Sequence, residues 1–273
     1  MREGLHLGRV GGTSYCRAGQ GPALVLIHGV GMHAGFWAPQ MAAFSRAWDV
    51  IAYDTLGHGG SILPPPVPSL GDYTSQLLAL LDGLELGAVC LVGHSLGALI
   101  ALDFALAHSE RVSAVVPMNA VYCRTGAQSA AVSARAEQLQ TGMEDVSWRQ
   151  AALDRWFGVP VPTGDLETAI WVGAALSAVD HAGYARAYGL FARSDAAHAR
   201  RLQNLAMPAL FLTGEADENS SPEMSRRMAA EAPHGRALSL PGQRHMMSLA
   251  AAPLVNKVLS NFFEETALVQ AAQ

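Results

Sequence analysis

Short apolar runs alternate along this chain with longer segments whose apolar residues recur at helical spacing. The runs are strand candidates at residues 23–27, 50–53, 88–92, 112–118, 209–213 and 237–240. Nearly continuous apolar strands separated by helices are typical of a parallel sheet that is covered on both faces. Ahead of them, two alternating segments at 5–9 and 13–17, divided by two glycines, predict an opening hairpin. The pattern therefore predicts an α/β fold.

Capping residues mark where several of the helices begin. Ser69 and Asp72 have the spacing of a capping box, and leucines follow along one face of the predicted helix. Ser221 followed by Pro222 is an N-cap with proline in the first helical turn. The last helix is predicted between about residues 253 and 265.

One long segment interrupts the alternation of strands and helices. Residues 123–195 contain no convincing strand, and helical patterns dominate there. A connection of this length is unusual for simple linkage, so we predict a helical cap over the functional site. A helical crossover that only packs on the sheet is the alternative. The predicted organisation is one core in two parts, residues 1–122 and 196–273, with the cap between them.

Composition narrows the class of protein. The chain has 273 residues, half of them hydrophobic and 15% charged, with a formal net charge of −5. That length supports one domain with an insertion, and the scattered basic residues argue against a nucleic-acid partner. No apolar stretch has the length of a membrane span, and none follows the N-terminus as a signal segment would. Three cysteines without metal-site spacing fit a reducing compartment, so we predict a cytoplasmic protein without a metal.

The segment with the clearest chemistry is Gly-His-Ser-Leu-Gly at residues 93–97. An apolar run precedes it and a helical pattern follows, which predicts a strand, a tight turn and a helix with Ser95 at the apex. Glycines at both ends allow this turn, because larger side chains there would collide with neighbouring backbone. The turn lifts the hydroxyl off the sheet at the positive end of a helix. We therefore predict that Ser95 is a nucleophile.

A serine nucleophile needs a base that a third group holds in place. Asp217 and His245 each follow a predicted strand, so both are expected at the same edge of the sheet as Ser95. The chain order Ser, Asp, His matches one known arrangement of a catalytic triad. Glu215 and Glu218 flank Asp217 and are the alternative acids. We predict that the catalytic residues are Ser95, Asp217 and His245.

The loop after the first buried strand is a candidate oxyanion hole. Gly29 and Gly31 surround Val30, and paired glycines let a backbone N–H point inward. We predict that the N–H groups of Val30 and Leu96 bind the oxyanion, where one such donor contributes about 3–4 kcal/mol of transition-state stabilisation. A nucleotide cradle is the alternative, but the loop lacks the third glycine of a dinucleotide fingerprint.

Together these motifs resemble the α/β-hydrolase superfamily over nearly the whole chain. Residues 53–61 are similar to its Asp-x-x-Gly-His-Gly-x-Ser loop, and residues 214–217 and 241–245 match its acid and histidine segments. The resemblance implies a mostly parallel eight-stranded sheet with helices on both faces and an inserted helical cap. His58 and Asp54 are expected to brace the 53–61 loop and to have no catalytic role.

Within the superfamily, the chain most resembles bacterial catabolic hydrolases of the 3-oxoadipate enol-lactonase group. That resemblance rests on residues 53–55, 153–157 and 180–184. Hydrolases that open enamides or cleave carbon–carbon bonds are similar as well. His94, and Ala98 where a third glycine is common, depart from the lactonase pattern. His94 also differs from the asparagine of carbon–carbon hydrolases, and Ser95 differs from the carboxylate nucleophile of haloalkane dehalogenases and epoxide hydrolases.

Substrates of that catabolic group have carboxylates, which a guanidinium binds through both oxygens. Arg124 and Arg155 are therefore candidate carboxylate anchors, and a solvated helix arginine is the alternative interpretation of each. Four further residues are candidates either for an apolar pocket wall or for ordinary core: Trp37, Met118, Trp156 and Met246.

The predicted function is a serine hydrolase that cleaves an ester or lactone of a small, carboxylate-bearing substrate through an acyl-enzyme. An amide, enamide or carbon–carbon hydrolase of the same fold is the first alternative, and a non-catalytic ligand-binding homologue is the second. The mechanism requires no metal and no organic cofactor, and its partner is a small molecule. The sequence leaves open whether the chain forms a homodimer.

Overall fold

A single sheet lies at the centre of the computed structural model, which describes residues 4–141 and 147–271. In chain order its strands are β1 (His6–Val10), β2 (Thr13–Ala18), β3 (Ala23–Ile27), β4 (Asp49–Tyr53), β5 (Val89–His94), β6 (Val112–Met118), β7 (Ala209–Gly214) and β8 (Gly235–Leu240). Across the sheet the order is β1-β2-β4-β3-β5-β6-β7-β8.

The sheet is parallel from β4 to β8 and antiparallel at one edge. β2 pairs antiparallel with both β1 and β4, and every later pairing is parallel. Successive residues of a strand point to opposite faces, and every residue of β4, β5 and β7 is buried, so both faces of the sheet are covered. The predicted α/β fold with a mostly parallel eight-stranded sheet is confirmed.

The described helices are α1 (Ala38–Phe44), α2 (Leu70–Gly83), α3 (Leu96–Ala107), α4 (Gly126–Thr141), α5 (Ser147–Phe157), α6 (Leu166–Ser177), α7 (His181–Arg193), α8 (Pro222–Glu231), α9 (Met247–Ala250) and α10 (Ala252–Ala271). Among them, none combines the length and the apolar character that crossing a membrane requires.

Two helix starts form as their sequences predict. At α2 the Ser69 hydroxyl accepts a hydrogen bond from the Asp72 N–H, and the Asp72 carboxylate accepts one from the Ser69 N–H. At α8 the Ser221 side chain caps the helix. The predicted end of the last helix is wrong, since α10 continues to Ala271. The sequence after Glu265 contains neither glycine nor proline, and its alanine, leucine and glutamine residues favour helix.

Between β6 and β7 the described part of the chain contains four α-helices, α4 to α7, and no strand. We call the segment from Gly126 to Arg193 the helical insertion. One of its contacts with the core has no room for a side chain. A Cβ atom placed on Gly183 of α7 would lie 2.1 Å from the carbonyl oxygen of Gly57 in the loop after β4. Backbone therefore packs directly on backbone at this junction.

This close approach generates a stability prediction for the insertion. We expect Gly183→Ala to lower the free energy of unfolding by about 1–3 kcal/mol, because the new methyl group forces the two backbones apart. Gly173→Ala in α6 is the matched control. Its Cβ atom would have only ordinary contact with Leu153, at 3.6 Å, and alanine favours helix over glycine by about 0.5–1 kcal/mol. Urea unfolding of both variants checks this, and equal effects would contradict it.

Candidate active site

Ser95 lies at a strained turn between β5 and α3. Its backbone torsions are φ 56° and ψ −115°, a region that a residue with a side chain rarely adopts. A Cβ atom on Gly93 would lie 2.1 Å from the carbonyl oxygen of Gly97, and one on Gly97 would lie 2.2 Å from that of Ile27. The two glycines are therefore required by close backbone packing, as predicted from the sequence.

Asp217 and His245 come together at the same edge of the sheet. The Nδ1 atom of His245 lies 2.8 Å from the Oδ2 atom of Asp217, and both side chains are buried. Asp217 follows β7 and His245 follows β8, so the contact joins two loops that are 28 residues apart in the chain. A proton on Nδ1 of a neutral ring leaves Nε2 as the nitrogen that can accept another.

Several donors surround the Asp217 carboxylate. Asn119 and the Ser220 hydroxyl each donate to Oδ2 at 2.7 Å, and the Asn219 N–H donates to Oδ1 at 2.8 Å. Burial by itself raises the pKa of this carboxyl, but His245, Asn119 and Ser220 outweigh burial and lower the pKa to about 2. Asp217 is therefore ionised at neutral pH. Asn119 was missed in the sequence, although a polar residue directly after the apolar run of β6 was a usable signal.

Glu215 and Glu218, the acids that flank Asp217 in the sequence, contact groups other than His245. The Glu215 carboxylate accepts a hydrogen bond from the Gly242 N–H, and Glu218 forms an ion pair with Arg244. Glu218 is exposed. Neither acid contacts His245 in the described structure.

Ser95 and His245 line the same small cavity, of about 20 Å³. Its wall includes Val30, Met246 and, from the helical insertion, Trp156 and Arg155. The indole of Trp156 stacks on the imidazole of His245, with ring centroids 6.0 Å apart and planes inclined by 23°. A volume of this size holds about one water molecule. Side chains of the insertion therefore form part of the wall around Ser95.

Hydrogen bonds fix the direction of the peptide group between Gly29 and Val30. The Gly29 carbonyl accepts from the His28 ring Nδ1 atom at 2.8 Å and from the Met32 N–H at 3.2 Å. The N–H of Val30 belongs to the same planar peptide and points in the opposite direction. Val30 lines the cavity beside Ser95, and Leu96 is the first residue of α3. Both predicted oxyanion donors thus lie next to the serine.

Two buried histidines join the loop after β3 to the loop at residues 53–61. The Nε2 atom of His58 accepts from the Gly31 N–H, and that of His28 accepts from the Thr55 N–H, each at 3.0 Å. Burial lowers the pKa of both imidazoles to about 3. Asp54 accepts from the N–H groups of Ala34 and Gly60, at 2.7 and 2.8 Å. His58 and Asp54 therefore make the bracing contacts expected of them, and the bracing role of His28 was missed.

Three of the proposed substrate-binding residues lie outside the cavity that contains Ser95. Trp37 and Met118 have no exposed surface and belong to the core. The Arg124 guanidinium is 3.9 Å from Asp195 and lies over the Phe191 ring, at 4.5 Å from its centroid. These placements correct the pocket-wall interpretation of Trp37 and Met118, because apolar residues near a strand end are also the ones that fill the core. They also correct the carboxylate-anchor interpretation of Arg124, whose charge already faces Asp195.

A second cavity, of about 400 Å³, lies within the helical insertion. Arg155 and Tyr188 line both this cavity and the small one beside Ser95, so the two are neighbours. Arg135 lies in its wall and donates from Nε to the Tyr188 hydroxyl at 3.0 Å. The described residues of the wall include no carboxylate, and Arg155 forms no ion pair in the described parts of the chain. Arg135 had no signal in the sequence, because helix periodicity does not reveal which neighbour an arginine faces.

The buried histidines at the site predict how stability depends on pH. Burial lowers the pKa of His28, His58 and His94 to about 3, whereas an unfolded histidine titrates near 6.5. Between these values the unfolded chain binds protons that the folded protein excludes, so the free energy of unfolding decreases as the pH falls below 6.5. The expected slope is about 1.4 kcal/mol per pH unit for each histidine.

Urea unfolding at pH 7.5, 6.0 and 5.0 measures this slope. The variant His58→Gln retains an acceptor for the Gly31 N–H but has no titrating ring. Its slope between pH 6 and 5 is expected to be smaller than that of the wild type by about 1.4 kcal/mol per pH unit. Identical slopes would show that His58 titrates alike in the folded and unfolded chains.

A model described as the alpha/beta hydrolase family matches residues 24–257. The (E)-2-((N-methylformamido)methylene)succinate hydrolase of Acinetobacter baylyi is 37% identical over 254 residues, which cover 92% of this chain and 94% of that protein. The crystal structure of the enol-lactonase from Burkholderia xenovorans has a TM-score of 0.83 and 25% identity, covering 95% of this chain and all of that one.

A hydrolase from Pseudomonas aeruginosa is similar in fold, with a TM-score of 0.85 at 22% identity over 96% of this chain and 99% of that one. The family match extends from β3 to α10 and so includes the strands that precede Ser95, Asp217 and His245. The eight-stranded sheet agrees with it. The chain therefore belongs to the alpha/beta hydrolase family, and it is a hydrolase.

Proposed function

We propose that this protein is a serine hydrolase that acts by acyl transfer. The observation that supports the proposal most directly is the 2.8 Å contact between His245 Nδ1 and Asp217 Oδ2, in a site where His245 and Ser95 line one cavity. An anion held on Nδ1 orients the ring and stabilises the imidazolium that forms when Nε2 takes a proton. The hydroxyl that gives up this proton is that of Ser95.

Each group has one task in the proposed reaction. His245 Nε2 removes the proton of the Ser95 hydroxyl as its oxygen attacks the substrate carbonyl. The N–H groups of Val30 and Leu96 donate to the oxygen that becomes negatively charged. The imidazolium then protonates the leaving group, and an acyl-enzyme remains. Water attacks the acyl carbonyl with His245 again as base, which regenerates the serine.

The helical insertion serves as a cap in this proposal. The cavity beside Ser95 has room for about one water molecule, whereas the neighbouring cavity of about 400 Å³ has room for a small organic molecule. We place the substrate's non-reacting part in the larger cavity and its carbonyl beside Ser95. Arg155 and Tyr188, which line both cavities, then lie between the two parts of the site.

The charge of the larger cavity supports a carboxylate-bearing substrate. Arg135 and Arg155 both line it, and no carboxylate from the described residues neutralises Arg155 there. A partly buried guanidinium with no counterion among the described residues favours an anionic ligand, because burial makes an unpaired charge costly. Two arginines in one wall match a dicarboxylate better than a monocarboxylate.

Among the bonds that this machinery opens, we place an enamide first. The name of the Acinetobacter baylyi relative describes a succinate, which is a dicarboxylate, with an N-acylated enamine, and that relative matches almost the whole chain. An ester or lactone is the second candidate, and the similarity to the Burkholderia xenovorans enol-lactonase favours it. Both reactions use the same acyl transfer to Ser95.

Covalent labelling tests the nucleophile. A fluorophosphonate probe is expected to modify wild-type protein at Ser95 and to leave folded Ser95→Ala unlabelled, because the hydroxyl oxygen attacks phosphorus and fluoride leaves. Asp217→Asn retains the serine but loses the charge that supports His245, so its kcat for p-nitrophenyl acetate is expected to fall by about 10⁴-fold. Mass spectrometry and thermal melting check label and fold. A folded wild type without label at Ser95 would favour a non-catalytic binding protein.

A substrate panel tests the arginines. The panel pairs esters and enamides that have no, one or two carboxylates, and KM and kcat are measured separately. Arg155→Met and Arg135→Met are expected to raise KM for the dicarboxylates roughly 10- to 100-fold, since a hydrogen bond to a charged group contributes about 1.5–3 kcal/mol. Neutral esters are expected to respond little. Arg149→Met is the control, because Arg149 lies on the same helix as Arg155 but contacts Ser177. A uniform loss across the panel would refute carboxylate binding.

A further inference from the structure

We propose that His94 is a positioning residue for the catalytic base, an inference that rests on the proposed function. Its Nε2 atom lies 2.9 Å from the backbone carbonyl oxygen of His245, and the two residues are 151 positions apart in the chain. A carbonyl only accepts hydrogen bonds, so Nε2 of His94 must be the protonated nitrogen and donates. The residue before Ser95 thus holds the loop that contains His245.

The ring of His94 lies where three parts of the site meet. Its centroid is 4.8 Å from that of His245, and a Cβ atom on Gly29 would lie 3.1 Å from its Nδ1 atom. Ser95 is its covalent neighbour. One rigid side chain therefore contacts the base and the oxyanion loop and is joined to the turn of the nucleophile. Phe36 packs on it as well, with ring centroids 4.9 Å apart.

The remaining nitrogen of His94 indicates that the hydrogen bond to His245 is the reason for a histidine here. Nδ1 is buried and has no hydrogen-bond partner among the described residues, and the side chain is 1% exposed. An apolar side chain would fill this space without burying an unpaired nitrogen, but it would leave the His245 carbonyl without its donor. The hydrogen bond from Nε2 to the His245 carbonyl therefore accounts for a histidine at this position, since Nδ1 makes none.

With this bond, His245 is held from two sides. Asp217 holds Nδ1 of the ring, and His94 holds the backbone carbonyl of the same residue. The first contact fixes the side-chain torsions, and the second fixes the backbone from which the side chain extends. Without the second contact, the Asp217–His245 pair can shift as a unit away from Ser95, and displacements of about 1 Å at a reacting group can cost roughly 100-fold in rate.

Two substitutions separate the donated bond from the shape of the ring. Glutamine places an amide N–H at nearly the distance of Nε2 and can donate to the same carbonyl, whereas leucine fills similar space without a donor. His94→Leu is expected to lower kcat for p-nitrophenyl acetate roughly 10- to 100-fold with KM changed less than about threefold. His94→Gln is expected to retain kcat within about threefold of the wild type. Cys90→Ala, on the same strand and far from His245, is the control for a loss of stability without a loss of kcat.

A spectroscopic measurement tests the same inference without catalysis. The proton that His245 shares with Asp217 is observable by proton NMR in protein with selectively labelled histidine. Its exchange with solvent is expected to be as slow in His94→Gln as in the wild type and at least tenfold faster in folded His94→Leu. Slow exchange and wild-type kcat in His94→Leu, or equal losses in both variants, would overturn the role of His94. A wild type that the fluorophosphonate probe does not label would instead overturn the proposed function, since the proton-exchange result does not depend on turnover.

Discussion

The backbone at Ser95 adopts a conformation that is costly, and the rest of the site depends on how the chain holds it there. A residue in such a region costs about 1–3 kcal/mol, which the surrounding packing must offset. Here the offset comes from contacts that only glycine permits. Gly93 and Gly97 let β5, α3 and the end of β3 approach to distances at which any side chain would collide. The serine is thereby lifted toward the loops that end β7 and β8, where Asp217 and His245 lie.

Around this turn, three buried histidines and the Asp217 carboxyl each stay in one charge state at neutral pH. Burial lowers the pKa of His28, His58 and His94 to about 3, so each is a neutral ring with one donor and one acceptor at neutral pH. Hydrogen bonds and His245 lower the pKa of Asp217 to about 2 despite its burial. Neutral rings orient peptide groups, and one fixed anion faces the base. This division explains why the same residues that organise the site should also make the fold sensitive to acid.

The helical insertion forms part of the wall around the serine. Trp156 stacks on His245, Arg155 lines both the small cavity and the larger one, and Arg135 lines the larger cavity. The sheet supplies the proposed chemistry and the insertion supplies the proposed choice of substrate. Because the chemistry uses backbone N–H groups and one imidazole, the same sheet can serve esters, lactones and enamides. In the proposed function, the two arginines of the insertion, Arg135 and Arg155, select for a carboxylate-bearing substrate.

The sequence by itself determined the fold class, the order of the strands along the chain and the turn at Ser95, because apolar runs, capping residues and paired glycines act through local geometry. It also placed Asp217 and His245 at one edge, since loops that follow parallel strands meet there. Only the tertiary structure decided which arginine faces a cavity. Arg124 and Arg155 were equal candidates in the sequence. In the structure, Arg124 faces Asp195, whereas Arg155 lines the cavity beside Ser95. Only the tertiary structure revealed that Asn119 donates a hydrogen bond to Asp217 and that His94 donates one to the His245 carbonyl. Such contacts join residues about 100 to 150 positions apart and leave no periodic pattern in the sequence.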